Sequence, residues 1–223
     1  MTTRLSRKQK QAHTRSCLMK SAARIFTDRG LEQASIDEVA EQAGFTKGAF
    51  YANFRSKEEL FLAMLDERFA QRVKEIDHVL ASDDDLLTQA RASGAGFTRF
   101  IAADPEWQRL FFEFTAYAAR NEEFRKELVT RYRALRERFT ELYRRRAERL
   151  EVASPVPLEL VALMTCTMAN GAALEQLLEP DAVPDNLFGS MLEIFFAGLA
   201  AMAGVSVEGM QPAVPEVAGS KTT

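Results

Sequence analysis

Between Ser35 and Phe54 the chain gathers hydroxyl, cationic and very small residues at spacings suited to contact with an anionic polymer. Ser35 stands three residues before Glu38, a capping box in which the hydroxyl accepts a first-turn amide while the carboxylate reaches back. Ile36, Val39, Ala40 and Ala43 give that helix an apolar side, and Gly44 ends it. Thr46 is a good N-cap for a second short helix running through Lys47, Gly48, Ala49, Phe50, Tyr51, Ala52 and Asn53. On that helix Phe50 and Phe54 share the side expected to face a core, while Lys47, Tyr51 and Asn53 point away. Gly48 and Ala49 carry almost no side chain, which permits close approach to a duplex, and the helix start at Thr46 offers unpaired amides to a phosphate. Two short helices joined by a Gly-containing turn in a basic segment form a helix-turn-helix, whose second helix fits the major groove.

Other chemistry is poorly provided for. The sequence contains no Gly-x-x-x-x-Gly-Lys, Gly-x-Gly-x-x-Gly, His-Glu-x-x-His or Gly-x-Ser-x-Gly, and neither His13 nor His78 has a nucleophile beside it in sequence. No catalytic residue is assigned, and the chain is expected not to be an enzyme. Cys17 and Cys166 lie far apart in helical patterns and read as packing residues of a reducing compartment, with no metal signature. Ser82-Asp83-Asp84-Asp85 reads as a helix start, where carboxylates are favoured by the macrodipole, better than as a metal cluster. No cofactor is expected.

The elements that must hold the helix-turn-helix are helical throughout. Leu18, Ala22, Ile25 and Phe26 share one face of a helix over Cys17 to Arg29 that stops at Gly30. Ser56 and Glu59 repeat the capping box and open a long helix with Leu65, Phe69, Val73, Ile76 and Leu80 in line. Further helices are predicted over Leu86 to Ala102, Glu106 to Ala119, Asn121 to about Leu150, Leu158 to Leu178 and Asn186 to Ala203, separated by Asp104-Pro105, Pro155, Pro157, Pro180 and Pro184. The arginines between Arg131 and Arg149 read as a solvated face, with Glu127–Arg131 and Glu141–Arg145 in the favourable order. The longest uncharged stretches, 15 residues after Glu159 and 14 after Glu193, are shorter than the roughly 20 that a bilayer span needs. The opening segment has no h-region of a secretory signal, so no membrane partner and a cytoplasmic location are expected.

Charge divides the chain. Up to Lys57 there are 11 basic and 5 acidic residues, and beyond it 18 and 27, within a net charge of -3. Seven basic residues, Arg7 and Lys8 among them, precede the first acid, Asp28. Such a pattern is expected of an arm that meets nucleic acid.

The segment SIDEVAEQAGFTKGAFYANFRSKEEL, Ser35 to Leu60, together with Ala23-Arg24-Ile25-Phe26 and Arg29-Gly30 before it, resembles the signature of TetR-type regulators. The resemblance covers about the first quarter of the chain. It implies an all-α fold of about nine helices: an N-terminal three-helix helix-turn-helix DNA-binding domain and a C-terminal helical ligand-binding and dimerisation domain. The expected divisions are 1–60, 61–205 and a disordered tail over 206–223, with the helix from Lys57 bridging the first two. By the same resemblance Ser35 and Thr46 are helix-start phosphate contacts, Lys47, Gly48, Ala49, Tyr51 and Asn53 the recognition surface, and Lys57 a phosphate-binding lysine. Asn53 stands where relatives often carry His or Tyr; by geometry it suits adenine, and a phosphate contact fits equally. Tyr51 either faces the bases or packs its ring across the helix pair and reaches phosphate with its hydroxyl.

The implied mechanism is a homodimer on a palindromic operator in the nucleoid, a repressor released by a small, largely apolar effector. Phe97, Phe100, Trp107, Phe111, Phe114, Tyr117, Met164 and Met168 are the expected pocket, though the same residues would make an ordinary core. Glu113 and Tyr117, one turn apart, would suit a cationic or hydroxylated ligand. Leu160, Met164, Gly171, Leu187, Met191, Phe195, Leu199 and Met202 are the expected dimer face on the last two helices. Two other readings remain: an architectural DNA binder without sequence preference, and a helical enzyme or lipid carrier with a vestigial helix-turn-helix.

Overall fold

The computed structural model describes residues 6–205; the expected tail over 206–223 lies outside them. Nine helices and no strand occur among the described residues: α1 (Arg7–Gln33), α2 (Ile36–Gln42), α3 (Lys47–Tyr51), α4 (Lys57–Leu80), α5 (Leu86–Ala102), α6 (Pro105–Arg120), α7 (Glu122–Arg149), α8 (Leu158–Leu178) and α9 (Leu187–Met202). The caps are where the sequence puts them. Ser35 accepts the Glu38 amide and Glu38 returns to the Ser35 amide, while Thr46 accepts the Ala49 amide. Asp85 accepts the amides of Leu87 and Thr88, so the acidic run is a helix cap; these bonds, with one from the Thr88 hydroxyl, hold its carboxyl below the usual range. The Ser56 box closes only half-way, because the Glu59 carboxylate takes the Arg55 amide and guanidinium instead of the Ser56 amide.

Two compact units are present, and they do not follow the chain in order. The first joins residues up to Arg68 with Glu106–Val129; the second joins Phe69–Pro105 with everything from Thr130. The division falls inside α4 and again inside α7, so α6 lies in the first unit with α1 to α3. The physical reason is aromatic. Phe61 on α4 stacks on Phe114 at 3.5 Å and on Trp107 at 5.5 Å, both from α6, with Phe26 and Phe124 against Phe114. Burying such rings is worth more than their neighbourhood in sequence.

From Arg7 on, the basic segment before Cys17 is helical. Ser6 and Gln9 form a capping box, so Arg7 and Lys8 are the exposed first turn of α1. The helix then runs to Gly30, as the pattern predicts, where the backbone takes φ 75° and ψ 168° before one last turn. That conformation is open essentially to glycine alone.

In the second unit α5 crosses α9 at Gly94 and Gly189, so closely that a Cβ on Gly94 would lie 2.2 Å from the Gly189 Cα. One turn away Arg91 holds the buried carboxylate of Glu193 with two bonds, 3.0 and 2.9 Å. The core of this unit falls into two clusters. One contains Phe188, Leu192, Ala90 and Ala172, with Phe97 and Met168 against it. The other contains Phe139, Leu142, Ala162 and Cys166, with Val73 and Tyr143 against it. Burial pushes the Cys166 thiol up to about 11, as suits a packing residue. The sequence pattern predicts a solvated face for the arginines of α7, but two of them are engaged with backbone. Arg146 and Arg149 donate to the carbonyls of Leu80, Ala81, Ser82 and Asp84 and so satisfy the otherwise open C-terminus of α4. Among the described residues no helix is long and apolar enough to cross a membrane.

Candidate nucleic-acid interface

The first unit presents α3 on a fixed bed. Phe50 and Phe54 are fully buried and pack on each other at 5.8 Å. Arg15 of α1 donates to the Asn53 carbonyl at 2.9 Å and lies over the Phe54 ring, and Ser21 of α1 bonds the Val39 carbonyl and Gln42 side chain of α2. Phe45 returns its amide to Ala40, which closes the turn after Gly44. With three helices tied in this way, the outer side of α3 is left to solvent: Thr46, Lys47 and Gly48 are exposed, Ala49 is half-buried, and Tyr51 is 51% exposed with its ring edge braced on Phe50. Ser35 is half-buried at the start of α2. The Lys47 ammonium reaches back to the Asp37 carboxylate at 2.8 Å, a bond that raises its pKa.

Two expected contact residues are placed differently. Asn53 lies beyond the end of α3, half-buried, with its side-chain amide donating to the Ala49 carbonyl at 2.8 Å and its buried Oδ1 accepting nothing. The helix stops at Tyr51, and a side-chain amide four residues past an open carbonyl satisfies it. Asn53 thus ties off the end of α3 in this structure. Lys57 likewise turns inward. Its ammonium donates to the carbonyls of Leu31 and Ala34 at 2.6 and 2.7 Å, closing the turn after Gly30.

The expected pocket residues divide between the two units. Trp107 and Phe114 are core of the first unit, and Tyr117, half-buried beside Phe124, donates its hydroxyl to Glu58 and accepts from Asn121. Glu113 accepts the Leu31 amide at 2.6 Å, so it is also structural. Phe111 is half-buried in the same unit; Phe97, Phe100 and Met168 are half-buried in the second, where Met164 is exposed. On α8 and α9, Leu160, Met164, Gly171 and Met202 of the expected dimer face are exposed, and Leu187, Met191, Phe195 and Leu199 are half-buried. Leu163, Leu174, Leu178 and Ile194 are exposed with them and were absent from the expected set, although the spacing 160, 163, 167, 171, 174, 178 is itself a helical stripe.

Comparison with known proteins rests on both halves of the chain. The family model described as "Bacterial regulatory proteins, tetR family" matches residues 18–64. The model described as "BetI-type transcriptional repressor, C-terminal" matches residues 89–201, just over half of the 223 residues. The chain belongs to the TetR family of transcriptional regulators. It is 36% identical over 99 residues to the transcriptional activator FasR of Mycolicibacterium smegmatis, a match covering 44% of the chain and 45% of that relative. The chain thus spans less than half the length of this curated relative. It is 26% identical over 165 residues to the transcriptional repressor AcnR of Corynebacterium efficiens, covering 73% of the chain and 81% of AcnR. The fold is shared with SmeT of Stenotrophomonas maltophilia in its triclosan complex: TM-score 0.68, 18% identity, 90% of this chain and 96% of that one. The match over residues 18–64 takes in α2 and α3, the helix-turn-helix.

Proposed function

We propose that this TetR-family regulator represses transcription by sitting on a near-palindromic operator as a homodimer, and that a small effector releases it. The observation that carries the reading is the outer side of α3, where Thr46, Lys47, Gly48 and Tyr51 are exposed on a helix whose other side is locked by Phe50 and Phe54. Lys47 supplies charge, Gly48 and Ala49 supply close approach, and Tyr51 supplies a ring and a hydroxyl to base edge or phosphate. Ser35 and Thr46 place helix starts toward phosphate, and exposed Arg7 and Lys8 add cations along α1. A homodimer accounts for the apolar stripe on α8 and α9, since Leu163, Leu178, Ile194 and Met202 otherwise face water. Two copies of α3 about one duplex turn apart, roughly 34 Å, then define the operator half-site spacing.

The test is a gel shift on DNA flanking the gene, with excess nonspecific competitor. Retardation is expected for the native chain, and Tyr51→Ala is expected to weaken it by about 1 to 3 kcal/mol while sedimentation still reports a dimer. Equal affinity of the two proteins removes Tyr51 from the interface, and absence of retardation at low salt removes the DNA-binding reading altogether. A reporter fusion gives the sign of regulation. Asp37 competes with phosphate for Lys47, so Asp37→Asn is expected to tighten operator binding about twofold to fivefold at low salt, an advantage that fades as salt rises. Weaker binding by this variant would show that the ion pair orders Lys47 for contact.

A further inference from the structure

The second unit buries a cation that its own carboxylates serve incompletely. Arg72 of α4 is only 8% exposed, at the place where the two apolar clusters approach: Phe97 from the edge of one lies 5.4 Å from its guanidinium and Phe100 lies 5.5 Å from it, while Tyr143 belongs to the edge of the other. Desolvation lowers its pKa, yet an arginine stays charged. Arginine–carboxylate pairs frequently have two parallel bonds, as the half-exposed Arg91 makes to the buried Glu193 in the same unit. Arg72 has a single bond of this kind, from Nη1 to Glu75 at 2.5 Å, and its Nε and Nη2 donors have no acceptor among the described residues. A second guanidinium converges on the same spot. A Cβ at Gly96 would lie 3.7 Å from Arg72 Nη1 and 3.9 Å from Arg99 Nη2, and Arg99 has no carboxylate within ion-pair distance among the described residues. Two like charges about one bare backbone position, with one partly exposed carboxylate on Arg72, leave a positive excess beside aromatic rings.

We infer that the effector is an organic anion, a carboxylate or phosphate head on an apolar body, and that Arg72 and Arg99 hold the head while Phe97 and Phe100 meet the body. The inference rests on the effector reading above and gives it a chemical class. The fork geometry of a guanidinium suits either head. An uncharged ligand with the same body would offer the Arg72 donors no charge-assisted bond, so it is expected to bind less tightly than the anion.

The full-length protein is titrated calorimetrically with decanoate, decyl phosphate, decanol and decyltrimethylammonium below their aggregation concentrations, and each is then added to the operator complex. One of the two anions is expected to bind at least tenfold tighter than decanol, with no binding of the cation, and the tighter anion identifies the head. Arg72→Met is expected to bring anion and alcohol within about threefold of each other. Arg99→Gln, a surface change that spares the core, is expected to reduce the preference severalfold. Equal binding of anion and alcohol, preference for the cation, or an unchanged preference in both variants overturns the inference; no binding by any of the four overturns it as well. Anion binding that leaves the operator complex intact supports the site and overturns the effector role, so the two failures are distinguishable.

Discussion

Gly94→Ala is expected to lower the stability of the protein by about 3 kcal/mol, at the upper end of what overpacking costs. The added Cβ would sit 2.2 Å from the Gly189 Cα and 2.5 Å from its nitrogen, and backbone cannot swing aside as a side-chain tip does. The helices α5 and α9 must separate. Separation loosens Phe188 against Phe97 and stretches both bonds between Arg91 and the carboxylate of Glu193, which is 1% exposed. A buried carboxylate deprived of its partner is itself costly. For a chain of this size the loss corresponds to a fall in melting temperature of about 6 to 12 °C, which calorimetry or circular dichroism reads directly. Gly198→Ala on α9, where nothing lies within 4 Å of the new Cβ, is the control and is expected to leave the midpoint unchanged or slightly raised. A Gly94→Ala midpoint equal to the native one would mean that α5 and α9 do not cross at this distance.

Phe61→Ala is expected to cost about 3 to 5 kcal/mol. Phe61 is 0% exposed and lies against Phe114, Trp107 and Phe124, so its removal leaves a void walled by three rings. Rings from one helix seldom collapse into such a space without leaving their rotamers. Because Phe114 also packs on Phe26 of α1, the loss extends to the helix on which α2 and α3 rest. Urea unfolding checks the size of the effect, and operator binding at a temperature where the variant is still folded checks its reach. Phe61→Leu is expected to recover more than half of the loss; a Phe61→Ala cost below 1 kcal/mol would contradict the stacked core.

Helix limits were legible because they are set by local chemistry. Ser35, Thr46 and Asp85 cap in the structure as their types and spacing predict, and α5 and α8 begin and end where the Pro and Asp signals place them. Exposure of Lys47 and Tyr51 followed from Phe50 and Phe54 claiming the opposite side. Partners distant in sequence were not legible. Periodicity puts Trp107, Leu110 and Phe114 on one face of α6 but does not say that Phe61 covers them, so the sequence alone leaves core and pocket both open for these rings. The carbonyl contacts of Asn53 and Lys57 were not legible either, because those carbonyls open only where a helix stops, at Tyr51 and after Gly30. Arg72 left a faint trace: it lies between Phe69 and Ile76, on a stripe otherwise apolar, and only burial shows that it is not a surface charge.

The turn after α1 is held from three directions: by the Gly30 backbone, by the Lys57 ammonium on its carbonyls and by the Glu113 carboxylate on the Leu31 amide. Glu113 belongs to α6, some eighty positions downstream of that amide. A fragment cut after α4 would therefore lose its clasp together with the rings that cover Phe61, and is expected to be a poor folder and a poor DNA ligand. The reading head of this regulator is not a transplantable cassette: exchanging it between relatives requires carrying α6 along, and sequence drift in the two segments must remain matched across that distance.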